Sequence, residues 1–161
     1  MLLLLYTQID RQLHRAAHTS LRLRMLFAHA GGAFPFTLGR IAHGWRARPD
    51  LCNVNHTRDP RSYAGHFWVD SITHDERALA YLLDVVGRDR VVMGSDYPFP
   101  LGDLEHGRFI EHMELPPETK ERILWKNAVE FLQLDAGDYG GGSIAASESS
   151  DRTRGDSRTT A

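Results

Sequence analysis

The sequence predicts an α/β protein with parallel strands, and three observations carry that expectation. Short apolar segments alternate with amphipathic helical segments three times between residues 25 and 134, the order of βα units. The first and third apolar segments stop at a residue able to bind a metal or move a proton, His29 and Asp96. In parallel architectures that is the edge where strand-end loops build a site. Three strands are also few, because a parallel strand needs cover on both faces and neighbours on both edges. The pattern therefore reads as a slice of a larger sheet or barrel.

Each element has its own local signal. Residues 1–20, MLLLLYTQIDRQLHRAAHTS, have weak helical character. His14 and His18 share a helix face by their i, i+4 spacing, but no acid lies between or beside them, so they read as part of a solvated basic face. Met25-Leu-Phe-Ala28 is the first expected strand, and it stops at His29-Ala-Gly-Gly32. In FPFTLGRIAHGWRAR, from residue 34, Phe36, Ile41 and Trp45 are expected to share a helical face, with Gly39 as a weak point. Residues 49–65 are a loop rich in Pro, Asn and Asp. The second strand is expected in residues 66–72, HFWVDSI.

DERALAYLLDVVG then places Leu79, Leu82, Leu83 and Val86 on one helix side, with Gly87 set to end it. The third strand is Arg90-Val-Val-Met93, followed by Gly-Ser-Asp96 and a proline-broken loop. A final helix opens at Pro116-Pro-Glu-Thr, with Ile123, Leu124, Val129, Phe131 and Leu132 as its buried residues. Beyond Leu134 almost nothing apolar remains to bury, so residues 135–161 are expected to be a disordered tail.

Bulk properties narrow the function classes. A chain of 161 residues suits one domain, and 42% hydrophobic with 25% charged residues is a globular composition. A net charge of −2 gives no electrostatic case for nucleic acid. Cys52 is the single cysteine, which excludes an internal disulfide and any multi-cysteine zinc site. The apolar run MLLLL is too short for a signal peptide or a membrane span, so the expectation is a cytoplasmic protein with no membrane partner.

His29 and Asp96 lie 67 residues apart on different βα units, close enough in a parallel sheet to converge on one pocket. A histidine with its unperturbed pKa near neutrality can take or give a proton, and the glycines after it let the backbone turn sharply. A strand-end histidine can equally be a packed, satisfied side chain, and an aspartate there can be a loop or helix cap. Asp70, at the end of the second strand, reads as a residue that orients a neighbour or caps a helix.

The stretches FAHAGGAFPFTLGRIAHGW, GSDYPFPLG and WKNAVEFLQL decide among these readings. Together they resemble the carboxyl-terminal part of the 2-amino-3-carboxymuconate 6-semialdehyde decarboxylases, a family of the amidohydrolase superfamily of metal-dependent (β/α)8 barrels. The resemblance covers residues 21–134 and implies a partial TIM-type barrel of about three βα units. It implies that His29 is the catalytic histidine that shuttles the proton of the attacking water. Asp96 is implied as a ligand of the catalytic zinc. Arg40 is implied to bind a substrate carboxylate, reaching into the neighbouring subunit of a homodimer. A guanidinium suits that role, because it grips a carboxylate in a bidentate way. The implied reaction is non-oxidative decarboxylation in tryptophan catabolism, with no organic cofactor.

The chain also departs from that family. It has no His-x-His pair, no counterpart of the family's middle-strand histidine, and only about three of eight barrel strands. A catalytic zinc generally takes three protein ligands. The sequence is therefore expected to be inactive by itself, as a carboxyl-terminal fragment following an atypical segment at residues 1–20. The alternatives are another decarboxylase or hydrolase of the superfamily, or a non-catalytic subunit that lends Arg40 to an intact enzyme.

Overall fold

The computed structural model describes residues 24–53, 58–105 and 107–139. The amino-terminal segment with His14 and His18, and the tail beyond residue 139, lie outside the described residues. In chain order the elements are β1 (Leu26–Phe27), α1 (Phe34–Ala47), α2 (Pro49–Cys52), β2 (Trp68–Asp70), α3 (Glu76–Val86), β3 (Val91–Val92) and α4 (Arg108–His112). The last helix is composite: α5 (Pro117–Glu121), one π turn at Arg122–Lys126, and α6 (Asn127–Leu132).

The three strands are parallel in the order β1-β2-β3, with Phe27 opposite Val69 and Val69 opposite Val91. Each is shorter at both ends than the apolar segment that predicts it. Side chains alternate across a strand, so Phe27, Val69 and Val91 share one face. That face carries the core: Phe67, Val69 and Val91 cluster with Phe34, Leu38, Leu79, Leu82, Leu83 and Val86. Phe67 meets the rings of Phe27 and Phe34 edge-on, each at 5.3 Å. On the other face Trp68 is buried under the Arg90 guanidinium, 4.4 Å from its ring centre, and against Phe131.

Helix α3 follows the sequence closely. Leu79, Leu82, Leu83 and Val86 are all buried, Asp75 accepts the Ala78 N–H at 2.8 Å as an N-cap, and Gly87 ends the helix at φ +95°. Helix α1 runs unbroken through Gly39, but its buried side is Phe34, Pro35, Leu38 and Ala42. Phe36 is 67% exposed, contrary to expectation. Two residues along a helix rotate by about 200°, so seating Phe34 in the core turns Phe36 outward. It stacks instead on Tyr81 of α3 at 4.8 Å.

The last helix departs in the same way. Ile123 is fully buried, whereas Leu132 is exposed, because the helix ends there and Gln133 turns left-handed at φ +59°. Two polar residues, Thr119 and Asn127, take buried places that no apolar pattern could announce. Asn127 donates to the carbonyls of Arg88 at 2.8 Å and Val91 at 2.7 Å, tying this helix to β3.

Candidate functional site

The carboxyl ends of the three strands lie side by side, and the sequence places a titratable residue at each: His29 after β1, Asp70 on β2 and Asp96 after β3. Neighbouring strands are about 4.8 Å apart, so β1 and β3, flanking β2, are separated by roughly twice that. The side chains of His29 and Asp96 nevertheless meet above the end of β2, with Nε2 3.4 Å from Oδ1. Both loops must bend inward for this. His29 and Asp96 accordingly both hold left-handed backbone, at φ +56° and +55°. Such conformations are sparsely populated outside glycine and cluster at functional sites.

The local sequence makes these bends attainable. His29, Ala30, Gly31 and Gly32 all have positive φ, and a Cβ on Gly31 would lie 3.1 Å from the Val69 side chain. The Asp70 carboxylate, buried at 8% exposure, accepts three backbone N–H groups: His29 at 2.9 Å, Ala30 at 2.7 Å and Ile72 at 3.1 Å. Past β3 the chain folds back in two successive turns, Phe99 N–H to Asp96 O and Gly102 N–H to Phe99 O, both at 2.9 Å. A Cβ at Gly102 would lie 2.4 Å from the Ser95 carbonyl, so the loop closes only around glycine. Tyr97, Phe99 and Leu101 project from this loop into solvent.

The His29 side chain is 65% exposed and that of Asp96 24%, so the pair is open to an incoming molecule. A cavity of about 410 Å³ lies on the same edge, lined by Ser71, Ile72, His74, Asp103, Leu104 and Phe109 among others; His29 and Asp96 are not in its wall. Arg40 is exposed on α1, opposite the buried Leu38 side, and its guanidinium has no hydrogen bond or ion pair among the described residues. The structure brings His29 and Asp96 together, sets Asp70 beneath them, and leaves Arg40 on the outward helix face.

An imidazole nitrogen and a carboxylate oxygen facing one opening suit one side of a divalent metal site. Among the described residues no group of three metal-ligating side chains converges. The residues present thus fit part of such a site, with further ligands required from elsewhere. Asp70, read from the sequence as a residue that orients a neighbour or caps a helix, bonds the backbone of the His29 turn. Its signal was its position, a strand-end acid in register between the other two, but spacing does not tell which backbone a carboxylate will meet.

Comparison with known proteins sets these residues in context. The family model described as Amidohydrolase matches residues 9–134. The 2-amino-3-carboxymuconate-6-semialdehyde decarboxylase of Dictyostelium discoideum is 54% identical over 118 residues, which is 73% of this chain and 33% of that protein. The enzyme of the same name from Caenorhabditis elegans is 46% identical over 115 residues, 71% of this chain and 29% of its own length. The chain thus spans about a third of the curated relatives it matches. Among solved structures, a 5-carboxyvanillate decarboxylase from Novosphingobium aromaticivorans, complexed with manganese and 4-hydroxy-3-methoxy-5-nitrobenzoic acid, superposes with a TM-score of 0.64. It is 23% identical and covers 75% of this chain and 35% of that one. That likeness is one of fold, a partial (β/α)8 barrel as the resemblance implies.

Proposed function

From the premise that the chain belongs to the amidohydrolase family, we propose that it contributes the carboxyl-terminal part of a metal-dependent, non-oxidative decarboxylase site. The proposed substrate is 2-amino-3-carboxymuconate 6-semialdehyde, on the 54% identity to an enzyme of that name. One observation carries the reading: His29 Nε2 and Asp96 Oδ1, from strands that are not neighbours, come within 3.4 Å at the open end of the sheet.

In this reading Asp96 holds a divalent metal from the end of β3, and zinc is the proposed ion. When bound, that metal supplies positive charge that makes water a nucleophile at neutral pH. His29, on its bent loop, would take the water proton at Nε2 as the water oxygen adds to a carbon–carbon double bond of the substrate, and would deliver it to the adjacent carboxylate-bearing carbon. The electron pair of the breaking carboxylate bond then re-forms the double bond and expels the added hydroxide as carbon dioxide leaves. Residues 21–134 are the proposed catalytic segment. Asp96 is then the one metal ligand among the described residues, two short of the usual three, so activity belongs to an assembly that supplies the rest.

Arg40, exposed and without an ion pair among the described residues, supports a second part of the reading, that it grips a substrate carboxylate at the site of a neighbouring copy. Arg40→Ala in the active assembly is then expected to raise KM at least about tenfold with a smaller change in kcat, the loss of a charged bidentate contact. Steady-state kinetics check it.

The test of the function is carbon dioxide release from 2-amino-3-carboxymuconate 6-semialdehyde by the native polypeptide, isolated with an antibody to residues 74–87. Release that stops with a chelator and returns with a divalent metal is expected. A metal-loaded native polypeptide that releases none from this substrate, but does so from an aromatic acid, would move the assignment to another decarboxylase of the family. No turnover of either, together with co-purification alongside a larger relative, would make it a non-catalytic subunit.

A further inference from the structure

Asp70 is buried, acidic and at the centre of the strand-end edge, yet the proposed chemistry gives it no proton to move and no ligand to hold. Its oxygens face backbone. One oxygen accepts the N–H of His29, and the other accepts those of Ala30 and Ile72. Two of the three donors thus belong to the turn that carries the proposed catalytic histidine, and both donors have positive φ. A left-handed pair of non-glycine residues does not hold that shape unaided, since each is strained. Hydrogen bonds to an ionised acceptor are the strong kind, and here they point at the two strained residues.

The third strand is held from the same place. The Ser71 hydroxyl accepts the Gly94 N–H at 3.2 Å, and a Cβ at Gly94 would lie 2.8 Å from Asp70 Cβ and 3.1 Å from its carboxyl carbon. Glycine at 94 lets the chain leading to Asp96 lie directly against the Asp70 side chain. The end of β2 is therefore the spacer between the two flanking loops.

We infer that Asp70 is a positioning residue: its carboxylate clamps the His29–Gly32 turn in its left-handed form and so sets the His29 ring against Asp96. This rests on the reading of His29 as the catalytic histidine, and the test keeps the two apart. In the native polypeptide, Asp70→Asn keeps the side-chain shape but removes the charge and one acceptor. Hydrogen exchange followed by mass spectrometry is read separately for residues 28–33, 67–70 and 123–132.

The expected result is exchange in residues 28–33 faster by about tenfold or more, the scale of a lost hydrogen bond to a charged group, with the other two segments unchanged. In the active assembly kcat falls and KM is retained, a split that general loosening would not give. Unchanged exchange in residues 28–33 overturns the inference, as does equal acceleration in all three segments. Selective acceleration with kcat unchanged leaves the clamp standing and sinks the catalytic reading of His29. Should Asp70→Asn fail to fold, the unsubstituted polypeptide decides: residues 28–33 exchanging as fast as free peptide overturns the clamp.

Discussion

At the scale of single residues, what fixes this site is backbone bent against its preference. Two non-glycine strand-end residues sit left-handed, and the space beside them is filled to the point where a methyl group would not fit. Gly102→Ala places a carbon 2.4 Å from the Ser95 carbonyl, so it is expected to destabilise the Asp96 loop by about 1–3 kcal/mol, as overpacking does. Amide exchange of residues 95–102 checks this, and unchanged protection would show that the loop has another way to close. A second residue-scale prediction concerns Asp50, whose carboxyl is held below the ordinary carboxylate range by hydrogen bonding to the Arg48 guanidinium. A depressed pKa stabilises the fold above the unfolded value and is lost as pH falls through the folded value. Both side chains are exposed, so salt screens the pair and the stability effect is small. In an NMR titration the Asp50 midpoint is expected to rise toward the ordinary range in Arg48→Ala and at high salt.

At the scale of elements, the informative contrast is between α3 and the composite last helix. Helix α3 has one apolar stripe, an aspartate cap and a terminal glycine, and all four apolar residues of the stripe are buried. Its structure was legible because local propensity and packing agree. The last helix hides its key contact in an amide: Asn127, fully buried at the junction with the π turn, bonds two carbonyls around β3. Asn127→Ala strips both carbonyls of their donor and is expected to cost about 1–3 kcal/mol per unsatisfied group. Exchange of residues 88–92 and 122–132 is expected to accelerate together, and acceleration of only one would separate the helix from the strand. Phe36 and Leu132 show the limit of periodicity. A helical pattern identifies candidates for burial, but the axial rotation and the end of the helix are chosen by what it packs against.

At the scale of the whole molecule, three parallel strands leave β1 and β3 as sheet edges among the described residues, and Leu26 remains 37% exposed on the face opposite the core. Open edges template association. The 161-residue chain expressed alone is therefore expected to elute above its monomer mass of 18.2 kDa and to bind a hydrophobic dye. A monomer with a sharp, cooperative thermal transition would refute that. The sequence by itself determined the βα order, the parallel sheet, the stripe of α3 and the residue types at two strand ends. These follow from periodicity and from residues with intrinsic preferences, which act over a few neighbours. Only the tertiary structure decided that His29 and Asp96 meet across an intervening strand, that Asp70 bonds the turn of another unit 41 residues away, and that Arg40 faces outward. Those contacts depend on strand register, helix rotation and left-handed turns, which are settled when the elements pack together and leave no periodic trace in the chain.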